Sequence, residues 1–216
     1  MRTISQLVEE EIRRSPFLEE ILAEGLGNNA EVARRIKEAV EKRRMQSVSE
    51  SAIAMALHRM GHGKNRTPFG LTFLKQIRDI SVRSDLVEII FPNTEDFASV
   101  VEVLVKEAKK KKNAFVNFSR GIRESLIIIS DDLMMEIPSS LKNHKGIRIQ
   151  KGLSAITMHL PPHSLEVPGL YYPILRALAH EGISFVEVMS VDLEFTIVFH
   201  DKDIDRAFSV IKRITL

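Results

Sequence analysis

A Pro168–Gly169 pair separates an alternating apolar run, Leu153–Leu160, from an amphipathic one, Leu170–Ala179. A strand-to-helix turn of this kind exposes backbone N–H groups at the positive end of the helix dipole. Glycine there lets a ligand approach the backbone. The chemistry on offer is capture of a small carboxylate. Val167, Pro168, Gly169 and Leu170 form this candidate loop. Val186, Val188, Met189 and Ser190, on the strand expected beside it, would meet the ligand's other end. A plain Pro–Gly turn with no ligand fits the same residues.

Other chemistry-bearing spacings are weaker. Gly61-His62-Gly63-Lys64-Asn65-Arg66 lacks the spacer of a phosphate loop, and Asn65 stands where a magnesium-binding Ser or Thr belongs. It reads as a basic linker. His58 and His62 are four apart, but no Glu follows His58; His159 and His163 flank two prolines without a third ligand nearby. The chain has no Cys, which removes thiolate metal sites, disulfides and a Cys nucleophile. No set of nucleophile, base and orienting group is visible. The expectation is a protein with no metal and no cofactor that is not an enzyme.

Charge distribution points elsewhere. Residues 1–29 carry three basic and six acidic side chains, residues 30–66 nine and four, and residues 67–216 nineteen of each. The basic excess therefore falls in one short window, the pattern that matters for nucleic acid. That window lies in a segment that reads as all helix. Ile4, Leu7, Val8 and Ile12 keep the 3.6-residue period. Ser15–Pro16 restarts a helix that should bury Phe17, Leu18, Ile21 and Leu22 and end at Gly25. Asn28 or Asn29 caps a third helix, and Ser49 a fourth. Two helices joined by a tight break resemble a helix-turn-helix. In that reading Ser51, His58 and Arg59 lie on the outer side of the recognition helix. Arg34, Arg35, Lys37, Arg43, Arg44, Lys64 and Arg66 meet the phosphates of double-stranded DNA. A helical dimerisation or partner-docking module with a solvated basic face fits as well.

Length and composition frame these sites. The chain has 216 residues, room for one large domain or two to three small ones. Its 44% hydrophobic and 28% charged content is that of a globular protein, not a disordered one. No apolar run reaches a membrane span, and Met1–Ser15 lacks the apolar region of a signal peptide, so the expected compartment is the cytoplasm.

From residue 76 onward the sequence repeats at an offset of 69. Asp85–Pro92 aligns with Ser154–Pro161, and Leu126–Asp131 with Phe195–His200. Each copy reads strand, helix, strand, strand, helix. The helices are expected at Asp96–Lys110 and Asp132–Leu141, then Gly169–Glu181 and Lys202–Ile214. A βαββαβ unit of this size is a ferredoxin-like plait. The fold class is therefore α+β: a helical domain (1–66), a first unit (67–145) and a second (146–216).

The second unit resembles an ACT domain, the amino-acid-sensing module of aspartokinases. The resemblance rests on Leu153–Pro161, Val167-Pro168-Gly169, Leu175–Ile183, Val186–Ser190 and Glu194–Phe199. In the first unit Ser119-Arg120-Gly121 followed by Glu124-Ser125 is similar to the strand-turn segment of aspartokinase ACT domains, while its loop Asn93-Thr-Glu-Asp96 lacks the Pro–Gly. A helix-turn-helix-like segment ahead of such a pair is similar to a group of prokaryotic, chiefly archaeal, proteins. The resemblance implies an amino-acid-responsive regulator and a homodimer, with DNA-binding output. A non-catalytic regulatory or scaffolding subunit of an amino-acid biosynthetic enzyme is the alternative.

One topological expectation follows. The second unit ends at Leu216, before its fourth strand. Ile77–Val82 should complete its sheet and Gly146–Gln150 that of the first unit, leaving the two interleaved rather than exposing an open edge.

Overall fold

The computed structural model describes residues 2–61, 71–93, 97–143 and 145–215. The chain divides into two compact units, Met1–Pro68 and Phe69–Leu216.

The first unit packs helices α1 (Ile4–Arg13), α2 (Pro16–Ala23), α3 (Asn29–Arg44) and α4 (Glu50–Gly61) around one apolar core. Polar side chains fix the starts of three of them. Thr3 and Gln6 form a capping box on α1, Asn28 accepts from the N–H groups of Ala30 and Glu31, and Ser49 accepts from that of Ala52. Inside, Leu7 and Ile12 meet Ile36, Val40, Ile53 and Leu57. The helix α2 departs from expectation: Leu22 is buried, but Phe17 and Ile21 are 62% and 42% exposed. Eight residues make two turns, so the pair at i and i+4 shares the face turned from the core.

The second unit is an antiparallel sheet of six strands in the order β2-β3-β1-β4-β6-β5. A single turn of helix, α5 (Leu71–Leu74), leads into β1 (Arg78–Pro92). Then come α6 (Phe97–Ala108), β2 (Val116–Arg120), β3 (Glu124–Ser130) and the short α7 (Ser139–Lys142). The second half is β4 (Arg148–His159), α8 (Tyr172–His180), β5 (Glu187–Val191), β6 (Glu194–His200) and α9 (Ile204–Thr215). The single helix expected at Asp132–Leu141 is instead a 3-10 turn, Asp131–Glu136, followed by α7. Pro138 divides them: it has no N–H to donate, and it holds Ile137 extended at φ −69°, ψ 124°.

Alternation along the strands assigns the two faces. Val87, Ile89 and Phe91 of β1 and Ile127 and Ile129 of β3 pack under α6. Ile156 and Met158 of β4 and Phe195, Ile197 and Phe199 of β6 pack under α8 and α9. On the opposite face, Leu86, Ile128, Leu153, Ala155 and Val198 form a buried cluster of their own. No described helix contributes to it; Phe115 and Val186, next to the two edge strands, close over it instead.

Register corrects the repeat. Ile89 pairs with Ile127, and Met158 with Phe195. Ile127 therefore corresponds to Phe195, 68 residues on, whereas the first strands keep the offset of 69. Aligning Leu126 with Phe195 would turn each side chain of β3 to the other face, because a slip of one residue reverses a strand's faces.

The two long strands span both halves. Ser81–Arg83 pair with Ala155–Thr157, and Arg78 with His159; further on, Glu88–Ile90 pair with Arg148–Gln150. Ile77 lies outside the strand and is buried beside Phe73 and Leu74. Bulges interrupt the ladder around Leu86, where Asp85 (φ +57°) and Gly152 (φ +70°) take left-handed conformations.

Candidate functional site

The candidate loop is built by three anchors. Ser164 ends β4's exit by donating its hydroxyl to the Pro161 carbonyl, and Val167 N–H bonds the Ser164 carbonyl at 2.9 Å. Leu170 then turns into the core beside Val167. Gly169 turns the chain with φ +73°, and its carbonyl accepts from Tyr172 N–H at 3.0 Å. Helix α8 thus begins at Tyr172 and not at Gly169, because a left-handed residue cannot open a right-handed helix. Pro173 in the first turn removes one donor from the helix start. Pro168 and Gly169 remain exposed at the apex.

Tyr171 links this loop to β5. Its ring stacks on Phe195 with centroids 4.1 Å apart and planes 12° apart, and its hydroxyl shares a 2.8 Å hydrogen bond with the Ser190 hydroxyl. Val188 lies on the same face, in the core that Val167 lines. Of the candidate residues, Val167, Pro168, Gly169, Val188 and Ser190 fall on this side of the sheet. Three do not serve as expected. Leu170 is 7% exposed and is a core residue, and Val186 and Met189 pack against the opposite face. The alternation of β5 separates Met189 from Val188 and Ser190, whereas Val186 lies ahead of the strand and does not follow its alternation. Tyr171 was missed by the motif. Its signal was an aromatic with a polar tip directly after the turn, a side chain that can stack and bond together.

The corresponding place in the first half is closed by Asn93. Its amide donates to the Gly121 carbonyl at 2.9 Å and accepts from the Ser125 hydroxyl at 2.6 Å. Arg120 lies over the Phe97 ring at 5.5 Å. Residues 94–96 of this loop lie outside the described residues. Nearby, the two terminal guanidinium nitrogens of Arg148 donate to Glu124 at 3.0 and 3.1 Å, which holds the Glu124 carboxyl below the ordinary carboxylate range.

In the helical unit, Ser51, Met55 and His58 share the exposed side of α4, as their spacing requires. Many of the basic side chains are committed within the unit. Arg34 pairs with Glu31 at 3.0 Å, Lys37 lies 3.8 Å from Glu50, and Arg43 lies 3.1 Å from Glu11 and 3.6 Å from Glu10. Arg59 donates to Ser5 at 3.1 Å, and Arg44 has its Nε buried without a partner. Arg35 is exposed on α3. Lys64 and Arg66, with the rest of the 62–70 segment, lie outside the described residues. At the end of α6, two lysines of the run Lys109–Lys112 are engaged by acids: Lys110 pairs with Glu107 at 2.6 Å and Lys111 with Asp132 at 3.1 Å.

Among the described residues, no three His, Asp or Glu gather as a metal site, and no helix is long and apolar enough to cross a membrane.

No family model matches the sequence, and no curated protein matches it. Solved structures do. An aspartate kinase from Clostridium acetobutylicum superposes with a TM-score of 0.52 at 13% identity, over 65% of this chain and 35% of the kinase. The chain thus spans about a third of that enzyme's length. The ligand-free regulatory subunit of aspartate kinase from Thermus thermophilus gives 0.52 at 10% identity, over 65% of this chain and 99% of that subunit. The corresponding subunit from Thermus flavus gives 0.50 at 10% identity, with the same coverage. What is shared at these identities is the fold, that of ACT-type regulatory domains.

Proposed function

We propose that this chain is a non-catalytic, amino-acid-responsive regulatory protein whose sheet unit is the sensor. The observation that carries the reading is the Tyr171–Ser190 bond, which ties the exposed Pro168–Gly169 turn to the edge strand β5. A small carboxylate would be held by backbone N–H groups at the turn. The ligand's other end would meet Val188 and Ser190. In this reading the two halves of the sheet are two interleaved ferredoxin-like ACT units, and the protein works in the cytoplasm as a homodimer.

The test is a thermal-shift screen of the twenty amino acids. A ligand that binds only the folded state adds about 2.7 kcal/mol at a hundred times its Kd. One or a few amino acids should raise Tm, and Gly169→Val should remove the rise. No shift with any of them would overturn the sensor reading.

For the output, two readings have support. The break between α3 and α4, with the exposed Ser51 and His58, favours double-stranded DNA as partner. The overlap with nearly the whole of a free-standing regulatory subunit favours the alternative, a regulatory or scaffolding subunit of an amino-acid biosynthetic enzyme. So does the engagement of Arg34, Lys37 and Arg43 by neighbouring acids. Retention on duplex DNA that falls steeply with salt supports the first; salt-independent capture of such an enzyme supports the second.

A further inference from the structure

The helix-free face of the sheet holds a group that the sensor reading leaves unused. Glu88 lies on that face of β1, opposite Ile128 on β3 and Gln150 on β4. The second half of the sheet shows how such a position is normally completed. There Thr157 stands where Glu88 stands in the first half, Thr196 stands where Ile128 does, and the two hydroxyls bond at 2.8 Å. In the first half, Ile128 has no polar atom to offer. Glu88 is 4% exposed, and its Oε1 has no hydrogen-bond partner.

The neighbouring charges do not complete it. Arg148 attracts Glu88 but is engaged by both oxygens of Glu124. Glu187 of β5, paired with Val198 on this same face, repels a charge on Glu88. Burial is the larger cause and this repulsion adds to it, so the Glu88 carboxyl is pushed above its ordinary range. The surroundings are aliphatic: Leu86, Leu153, Ala155 and Val198 are all buried. Of the polar residues around Glu88, Asn117 and Gln150, in line with it across the strands, and Glu187 are only partly buried.

An unpaired buried acceptor, a second acid and aliphatic walls call for a particular occupant. It must bring N–H donors and positive charge on an alkyl stem. A divalent metal is a poor match, since no third ligating side chain joins the two carboxylates among the described residues. We propose that this face is a binding site for a primary alkylammonium group, with Glu88 as its anionic anchor and Glu187 as the second acid. It lies on the opposite face of the sheet from the Pro168–Gly169 turn, and it does not depend on that turn.

Calorimetric titration of the full chain with n-pentylammonium, with 1-pentanol as its neutral twin, tests the proposal. Saturable binding of the amine and none of the alcohol is expected. Glu88→Gln should weaken the amine at least about tenfold, the loss expected for a charge-assisted contact. Glu187→Gln should weaken it less, and Gly169→Val should leave it unchanged. Equal affinity for amine and alcohol would overturn the site, as would unchanged affinity in a folded Glu88→Gln variant. If that variant does not fold, the wild-type Glu88 carboxyl can be followed directly by NMR. Pentylammonium must lower the pH at which it titrates, whatever Glu187, Arg148, Arg83 and His200 on the same face contribute; no movement overturns the proposal.

Discussion

The hydroxyl of Tyr171 lies 2.8 Å from that of Ser190, and the same tyrosine ring stacks flat on Phe195. One side chain therefore fixes the distance between a loop and an edge strand through its tip, while its body is held by the core. The two contributions separate cleanly in Tyr171→Phe. The stack stays and the hydrogen bond goes, which should cost about 0.5–1.5 kcal/mol at most, less for a pair at the surface. Amino-acid affinity should fall several-fold while Tm moves by only a few degrees, checked by calorimetry and melting on one preparation.

Glu88 should make stability fall with rising pH over a defined window. Its folded-state pKa lies above the ordinary value. Between the two values the native state holds more protons than the unfolded chain, so stability declines as pH rises through that window. Glu124 and Glu181, held low by Arg148 and Arg213, act in the opposite sense: their contributions are lost as pH falls below the ordinary carboxylate value. Where Glu88→Gln folds, it should flatten the first slope and lessen the loss of stability at neutral pH, because it removes the buried charge that Glu187 repels while keeping the side chain's shape. Denaturant unfolding at about pH 5 and about pH 8 reads both effects.

The long strands make the halves of the sheet mutually dependent. Without Arg78–Arg83, the β4 segment Ala155–His159 loses its partner on one side. A fragment of residues 146–216 should aggregate or stay unfolded, and a fragment of residues 69–145 added in trans should restore a cooperative melt. A soluble, cooperatively melting 146–216 monomer would refute this.

Reversing Arg34 and Arg35 to Glu tests the DNA reading of the helical unit. Arg34 already pairs with Glu31, so the circular dichroism melt should shift by no more than about 1 kcal/mol. Loss of retention on duplex DNA at low salt is expected if α3 meets phosphates; equal retention of both proteins would sink the assignment.

Much of the fold was legible because its signals are local. Asn28 and Ser49 announce helix starts through side chains that reach their own backbone, and the period of Ile4, Leu7, Val8 and Ile12 announces a buried stripe. What escaped was set by contacts between distant residues. Nothing in Leu126–Ser130 tells which residue faces the helices, because three consecutive isoleucines satisfy either register. The pairing with β1 decides it. The apolar run of α2 reads as fully buried, yet which half of it meets a neighbour depends on where α1 and α4 lie. At the candidate site the Pro–Gly turn was visible, whereas Tyr171 and the split of β5 into two faces required the position of β6.

The bulges around Leu86 have a mechanical meaning. Each of β1 and β4 is gripped at its two ends by a different half of the sheet, and a further irregularity lies near the start of β1, between Arg78 and Ser81. Asp85 and Gly152 place a dislocation in those strands where one half gives way to the other. Extra twist collects at such a defect. A change in the angle between the halves would therefore turn on two residues in left-handed conformations, as on a pivot, while the ladders on either side keep their registers.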